Sequence, residues 1–216
     1  MQTVRNMLSA NDTDRIRLAV SEAESRTCGE IVPMIVRASN SYLRLRVTGA
    51  ITSAITAFVM GVFLTPQSHP SWFLLFEILG YVFGTLLFWI DPFLRLFLSD
   101  EEMEAKVRDR AIRAFYEHQL HKTRGATGIL MLASLLEHRV YILADQGIHE
   151  KVGTEKWQEA VKILTRALKE NRVGDGFCEA IAVCGELLAT HFPVTGENPN
   201  ELPDQIILEQ GSLEGQ

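Results

Sequence analysis

This 216-residue sequence has few cysteines and no excess of basic residues, and each observation excludes a class of function. The three cysteines, Cys28, Cys178 and Cys184, form no CxxC pair and have no metal-binding spacing. The formal net charge is −6, so the chain lacks the basic surface with which proteins bind nucleic acid. We therefore expect no nucleic-acid partner. Small buried thiols in a reducing compartment are favoured over catalytic or disulfide-bonded ones.

Common catalytic and export motifs are absent as well. The sequence contains no P-loop, no GxSxG elbow, no HExxH pair and no paired carboxylates of the glycosidase type. The N-terminal stretch MQTVRNMLSANDTDR has no apolar core of the kind that a signal peptide needs. We therefore expect no cleaved export signal, and no common enzyme class is indicated by motif.

Charge is nearly absent from the middle of the chain. Residues 47–65 carry no charged side chain, and residues 71–90 carry one, Glu77. Each stretch is close to the ~20 residues that cross ~30 Å of hydrocarbon. The alternative is a pair of core helices in a soluble protein, but a chain of this length has too little polar material to surround both. The sequence predicts a transmembrane helical hairpin over residues 47–90, with the lipid bilayer as its partner.

The basic residues near the hairpin predict its orientation. No Lys or Arg lies in the connection PQSHP between the two spans. The basic residues instead lie before the first span and after the second: Arg37, Arg44, Arg46, Arg95, Lys106, Arg108 and Arg110. Because cytoplasmic flanks carry the excess of Lys and Arg, we expect a multi-pass protein of the cell (inner) membrane with both termini in the cytoplasm. Trp72 and Trp89, near the ends of the second span, are typical interfacial aromatics.

The second span contains a helix-packing motif and one charge. Gly80 and Gly84 have the GxxxG spacing that lets two helix backbones approach closely. They can pack against small residues of the first span or against a second copy of the chain, and the motif does not choose. Glu77 is costly in lipid, but it lies about one and a half turns inside the outer end. An interfacial or intra-hairpin role is favoured over ion transport.

The flanks of the hairpin predict one discontinuous domain. The patterns predict helices at 9–28, 100–122, 154–170 and from Asp175, and strands at 30–37, 128–136 and 139–145. Because one helix and one strand cannot bury both of their apolar faces, residues 9–40 and 99–193 are predicted to share a core. The predicted fold class is α/β, an α+β mixed sheet flanked by helices, with the two-helix transmembrane hairpin inserted.

The end of the chain is acidic and contains no basic residue. Residues 194–216 are predicted to form a flexible acidic tail. The apolar triplet Ile206-Ile207-Leu208 within it could be a short docking motif, although chance is the favoured explanation.

Three stretches make the chain resemble the TPM domain family: GILMLASLLEHRVYILADQGIHEKVG, VGDGFCEAI and GELLATHFP. The resemblance is strong over residues 100–193 and weak over residues 10–40. It implies a mixed sheet flanked by helices, and the paired spans resemble the membrane-anchored bacterial members of the family. Some members are reported as acid phosphatases or divalent-cation binders, and others as assembly, repair or trafficking factors.

The resemblance also assigns individual residues. Gly147 matches the glycine of the family's strand-to-helix turn, Arg139 the basic residue that opens the preceding strand, and Gly174-Asp175 the pair before the last helix. Glu30 lies where the first strand opens. Members that look catalytic have an aspartate early in the helix after the turn, where this chain has Gly153-Thr154-Glu155. The departure weakens both the phosphatase and the cation-binding hypotheses.

Carboxylates supply the candidate metal ligands. Hard cations such as Ca²⁺ or Mg²⁺ need several oxygen ligands, and the candidate cluster is Asp145, Asp175 and Glu30, with Glu137 as an alternative to Glu30. Helix and turn capping explain Asp145 and Asp175 more simply, and no cofactor is predicted with certainty. Two histidine-containing pairs, His149 with Glu150 and His118 with His121, lack an evident third ligand.

Two hypotheses of different classes follow. The first is a membrane-tethered, non-enzymatic module that binds or helps assemble other membrane proteins. The second is a divalent-cation-dependent phosphatase or cation-binding domain, which requires Asp145 and Asp175 to converge in one pocket. The sequence favours the first hypothesis, and thus a protein that is not an enzyme.

Overall fold

The computed structural model describes residues 8–64, 69, 71–152, 154–194 and 200–209. The helices are α1 (Ala10–Glu24), α2 (Leu43–Leu64), α3 (Ser71–Phe88), α4 (Asp91–Leu96), α5 (Asp100–Glu117), α6 (Gln146–His149), α7 (Gln158–Lys169) and α8 (Val173–His191). The strands are β1 (Glu30–Val36), β2 (Gly128–Ser134), β3 (Arg139–Ala144) and β4 (Ile207–Glu209). Short 3₁₀ helices cover Leu120–Lys122 and Thr154–Trp157. The chain divides into two compact units: Met1–Asn40 with Glu101–Gln216, and Ser41–Asp100.

The first unit is built on a four-stranded mixed sheet with the order β3-β2-β1-β4. Strand β1 is parallel to both of its neighbours, whereas β2 and β3 form an antiparallel hairpin. A mixed α/β fold is confirmed. The connection between β2 and β3 covers residues 135–138, whereas the predicted strands leave two residues between them. Leu135 and Leu136 belong to the connection because their backbone N–H groups donate to the carbonyls of Val36 and Arg37, beyond the end of β1.

The sheet has an apolar core on each face. Alternate residues of a strand point to opposite faces. One face packs against α1, α7 and α8 through Ile31, Ile35 and Ile129, and the other packs against α5 through Val32 and Leu130. Burial on both faces explains the almost continuous apolar runs EIVPMIV and GILMLAS. The core thus joins residues that precede the hairpin to residues that follow it.

Helix α1 begins as its sequence predicts. The Ser9 side chain accepts the backbone N–H of Asp12 at 3.1 Å, and the Asp12 carboxylate accepts the backbone N–H of Ser9 at 3.0 Å, which is a complete capping box. The predicted end at residue 28 is wrong. The helix ends at Glu24, and Gly29 does not adopt the left-handed conformation. A Cβ at Gly29 would lie 2.9 Å from Leu188 Cδ1, so close packing explains this glycine.

The described part of the predicted acidic tail is ordered on the sheet, in contrast to the prediction. We call residues 200–209 the strap. Its last three residues form β4, which pairs in parallel with Met34–Val36, and Ile206 is buried in the core beside α1 and α8. The apolar triplet provides enough burial to dock this segment despite its acidic composition. Residues 195–199 and 210–216 of the predicted tail lie outside the described residues.

The second unit contains two helices that are long and apolar enough to cross a membrane, by length and composition. Their contacts run antiparallel: Gly49 lies against Phe88 and Gly61 lies against Phe76. Within the most apolar window of each helix, 22% of α2 and 17% of α3 is buried. Core helices of soluble proteins are mostly buried, whereas most of each window here is exposed. Most of the predicted connection PQSHP lies outside the described residues.

Candidate functional site at the sheet edge

Asp145 caps a helix, as the structural interpretation of this residue predicts. It is the N-cap of α6, and its Oδ1 accepts the backbone N–H of Gln146 at 2.8 Å. Its own N–H donates to the carbonyl of Gly128 at 2.9 Å, which fixes the junction between β3 and α6 to the start of β2. Oδ2 is shielded from solvent and has no hydrogen-bond partner among the described residues.

Asp175 forms an ion pair and is not the N-cap that the sequence predicts. Helix α8 begins two residues earlier, at Val173, so that Asp175 lies within its first turn. Its Oδ1 accepts Arg15 Nη2 at 2.7 Å, and both side chains are substantially exposed. Negative charge is favourable at a helix N-terminus, and the ion pair links α8 to α1.

Glu30 is buried at the beginning of β1, with 3% of its surface exposed. Its Oε1 accepts the backbone N–H of Glu201 at 3.4 Å, and its Oε2 accepts that of Leu202 at 3.2 Å. Burial raises the pKa of Glu30, the two backbone hydrogen bonds oppose the shift, and the nearby carboxylates of Glu201 and Asp204 add to it. Glu30 thus anchors the strap to β1.

The three predicted metal ligands do not form one site. Cys28, two residues before Glu30, hydrogen-bonds to Phe192 at the C-terminal end of α8, whereas Asp175 lies in the first turn of that helix. At 1.5 Å per residue, about 25 Å of helix separates the two ends. Asp145 lies at the same end of the sheet as Glu30 but two strands away, or about 10 Å. The alternative ligand Glu137 is bound elsewhere, by Ser134 and by the backbone of Ser39.

A different group of carboxylates does converge. We call it the acidic cavity, a volume of about 180 Å³ that is lined by Ser21, Glu24, Ser25, Glu30, Asn200 and Asp204. Glu24 is 8% exposed, and its Oε1 accepts the backbone N–H of Ile31 at 2.7 Å. Burial raises the pKa of Glu24 to about 8; the bond from Ile31 opposes the shift, and the Glu30 and Asp204 carboxylates increase it. Buried carboxylates of raised pKa in a cavity mark a candidate functional site.

The outer edge of β1 lies beside this cavity, and its backbone N–H groups are satisfied or absent in three different ways. The N–H of Ile31 is bound by Glu24, and Pro33 has no N–H to offer. Further along, β4 covers Met34–Val36, and the N–H of Arg37 donates to the Glu209 carbonyl at 3.1 Å. An uncovered strand edge would template pairing with another chain, so this edge is protected.

A buried arginine anchors the other end of the strap. Arg110 of α5 is 4% exposed; its Nη1 donates to Glu117 Oε2 at 3.0 Å, and its Nη2 donates to Glu209 Oε2. Glu117, His118 and Glu209 lie close enough together to hold a metal ion. The guanidinium already supplies the positive charge that the two carboxylates need, which is an argument against a metal there. His118 Nε2 lies 3.9 Å from Glu209 Oε1.

The hairpin glycines have a partner within the second unit. A Cβ at Gly80 would lie 2.5 Å from the Cβ of Ala57, and one at Gly84 would lie 2.6 Å from the Cβ of Ser53. Of the two arrangements that the sequence left open, the structure has the one in which the motif packs against α2. Self-association through the same glycines stays a prediction, and it would have to displace α2. Glu77 is exposed on the outer surface of α3.

Comparison with known proteins identifies the domain. The family model described as TPM domain matches residues 97–187, from just before α5 into α8. The chain carries a TPM domain. The matched segment of the TPM domain includes Asp145, Gly147 and Asp175, whereas the acidic cavity and the strap lie outside it.

One solved structure is similar in fold to this chain. It is the NMR structure of the BA42 protein from the psychrophilic bacterium Bizionia argentinensis. The two chains are 18% identical and superpose with a TM-score of 0.58. The alignment covers 93% of this chain and 94% of the BA42 chain. At this identity the similarity concerns the fold alone. No curated protein matches the chain.

Sequence reasoning missed most of the residues that meet at the sheet edge. The sequence predicts Glu24 within a longer helix, and Glu201, Asp204 and Glu209 within a flexible tail. The triplet Ile206-Ile207-Leu208 was the one signal that could have identified the strap. By contrast, the family glycine Gly147 has a clear structural reason, since a Cβ there would lie 2.3 Å from the Gly125 carbonyl oxygen.

Proposed function

We propose that this chain is a multi-pass protein of the cell (inner) membrane, anchored by the α2–α3 hairpin, with its TPM domain and both termini in the cytoplasm. In this proposal the TPM domain is a non-enzymatic module that binds other membrane proteins or helps to assemble them. The observation that carries the proposal is the apolar outer surface of the hairpin, which interrupts a folded domain.

The exposure of that surface supports membrane anchoring. Large apolar side chains on both helices are exposed, among them Phe63 at 80% and Leu86 at 64%. Leaving this much apolar surface in water is costly at about 25 cal/mol per Å², whereas lipid covers it at no such cost. Trp89 and Arg46 form a cation–π pair, with 5.1 Å from the guanidinium carbon to the ring centroid, as befits an interfacial end of the hairpin.

The separation of the candidate ligands supports a binding role over catalysis. A cation-dependent phosphatase needs carboxylates that converge in an open pocket. Asp145 caps α6, Asp175 is paired with Arg15, and Glu30 holds the strap. Each carboxylate therefore has a structural role, and the phosphatase alternative has less support.

Topology and partner capture test this proposal. The native cysteines are replaced, and single cysteines are introduced at His69 and at the exposed Asn11 of α1. In intact cells a membrane-impermeant maleimide is expected to label His69→Cys, and to label Asn11→Cys only after permeabilisation. Extraction of the chain by alkaline carbonate, or labelling of both positions in intact cells, would contradict the proposed topology.

The binding role needs a second measurement. The tagged full-length chain is cross-linked in cells, extracted in mild detergent and purified. Integral membrane proteins are expected to co-purify, and they should be lost with a control that carries the hairpin fused to an unrelated soluble domain. Hydrolysis of p-nitrophenyl phosphate that requires Ca²⁺ or Mg²⁺ and is lost in Asp145→Asn would instead establish the phosphatase alternative.

A further inference from the structure

The strand pairing between the strap and the sheet is short. Strand β4 pairs with β1 over three residues, whereas β2 pairs with β1 over seven. Within the strap, Ile206 is the one buried residue, and its neighbours are half-buried or exposed. Short edge strands of this kind belong to the regions that open most easily in local unfolding.

Like charge opposes the docking of the first half of the strap, whereas the backbone N–H groups of Glu201 and Leu202, which donate to Glu30, favour it. Glu24 and Glu30 are already buried beside each other, and the docked strap adds Glu201 and Asp204 to the same region. The backbone N–H of Arg124 donates to Glu201 Oε2 at 2.8 Å, whereas the side-chain Nε lies 3.9 Å from Glu201 Oε1 and the side chain is 83% exposed. An exposed pair of this kind contributes little. Below about pH 8 Glu24 holds its proton, so the repulsion comes from Glu30, Glu201 and Asp204, and it offsets part of what the strap gains by docking.

The second half of the strap defines the chemistry that the β1 edge accepts. Ile206 and Leu208 contact the core beside α1 and α8, and Ile207 contacts the core beside α5. Glu209 then places its carboxylate on the buried Arg110. The edge thus accepts an extended segment of three apolar residues followed by an acidic one. Parallel pairing provides the backbone bonds, and the two cores and Arg110 provide the selectivity.

We propose that the β1 edge at Met34–Val36 is a docking site for an extended peptide of a partner membrane protein, and that the strap is its intramolecular competitor. The partner segment carries three consecutive apolar residues and then an acidic residue, and runs parallel to β1. This inference rests on the proposed binding role of the TPM domain and names its surface. When the strap leaves, Arg110 keeps Glu117 as a partner, so that the empty edge does not strand a buried charge.

The test measures the binding of a fluorescein-labelled peptide, NELPDQIILE, to the full-length chain in lipid nanodiscs by fluorescence anisotropy. Ile207→Pro removes a backbone donor from β4 and should release the strap. We expect this variant to bind the peptide at least ten-fold more tightly than the wild type. A peptide ending in lysine in place of the final glutamate should bind the variant at least ten-fold more weakly, because it presents a cation to Arg110.

Three results would overturn the proposal. They are equal affinity for wild type and Ile207→Pro, equal affinity for the two peptides, and a wild-type dimer that exchanges its straps between copies. Glu209→Gln is the milder second variant, used in case Ile207→Pro does not fold, and should give the same order of affinities. Hydrogen exchange of the wild type adds a check that needs no variant. The amides of Ile207 and Glu209 should exchange at least ten-fold faster than that of Leu130, and equal rates would count against a displaceable strap.

The peptide titration is independent of the topology and co-purification experiments. A chain that fails to capture any membrane protein in cells can still bind the peptide, in which case the docking edge stands and the proposed partner class fails. Capture of partners without peptide binding has the opposite meaning, since the TPM domain would then bind through another surface.

Discussion

The carboxylate of Glu24 accepts the backbone N–H of Ile31 at 2.7 Å, at the point where β1 begins. The last residue of α1 therefore satisfies the first backbone N–H of β1 that points away from β2. Together with Pro33 and β4, this hydrogen bond leaves β1 protected along its outer edge. The same contact buries Glu24 next to Glu30, which couples the stability of the domain to pH.

Glu24→Gln is expected to stabilise the domain at alkaline pH. Because the pKa of Glu24 is about 8 in the folded state, against 4.5 for an unperturbed glutamate, the folded state binds a proton between these values that the unfolded chain has released. The free energy of unfolding therefore falls as pH rises from about 5 to 8. The variant should gain about 1–3 kcal/mol at pH 8.5 and nothing at pH 5, or roughly 3–8 °C in Tm. The exposed Glu22→Gln is the control, and an unchanged pH slope in Glu24→Gln would contradict the assignment.

Arg110→Met is expected to loosen the strap more than the rest of the fold. Removing one partner of a buried ion pair strands the others, at a cost of roughly 3–5 kcal/mol. Glu117 is 45% exposed and can turn to solvent, so the cost should fall mainly on Glu209. Hydrogen exchange at residues 207–209 should accelerate, whereas exchange in β2 should not. The matched control is Arg113→Met, at an exposed position on the same helix, and equal effects of the two variants would refute this role of Arg110.

Gly80→Val is expected to disrupt the hairpin. A Cβ at this position would lie 2.5 Å from the Cβ of Ala57 and 2.8 Å from the carbonyl oxygen of Ser53, so the helices must move apart. Overpacking of this kind costs roughly 1–3 kcal/mol. The Tm in detergent micelles should fall, and protease should cut the hairpin more readily. Val82→Ile, on the exposed surface of the same helix, should have no effect; a dimer that dissociates in Gly80→Val with its hairpin intact would indicate self-association instead.

Calcium and magnesium are expected to leave the stability of the TPM domain unchanged. A cation stabilises a protein only if it binds the folded state more tightly than the unfolded chain. Asp145 and Asp175 lie in different parts of the fold, so millimolar Ca²⁺ or Mg²⁺ should leave the Tm of the wild type and that of the Asp145→Asn, Asp175→Asn variant unchanged. A metal-dependent rise that the double variant loses would restore the cation-binding hypothesis.

The sequence by itself determined the features that depend on neighbouring residues. The apolar runs of 47–65 and 71–90, which together carry one charge, correspond to the long helices α2 and α3, and the helix predicted from residue 9 begins with the Ser9–Asp12 cap. Helix and strand periods are properties of short segments, so a single sequence contains them. The order of these elements, together with the motifs after residue 128, was sufficient to recognise the resemblance to the TPM domain family.

Tertiary structure alone decided which distant residues meet. Glu30 and Glu201 are 171 positions apart, and nothing in either local sequence indicates that β4 would lie beside β1. Asp145 and Asp175 look equivalent in the sequence, but the length of α8 places Asp175 far from the sheet end that holds Asp145. The partner of the GxxxG motif was also decided by the tertiary structure. Its small residues permit a close approach to any helix, and in the structure they pack against α2 of the same hairpin. Contacts of this kind depend on strand order and helix packing, which are set by the whole core and not by any one segment.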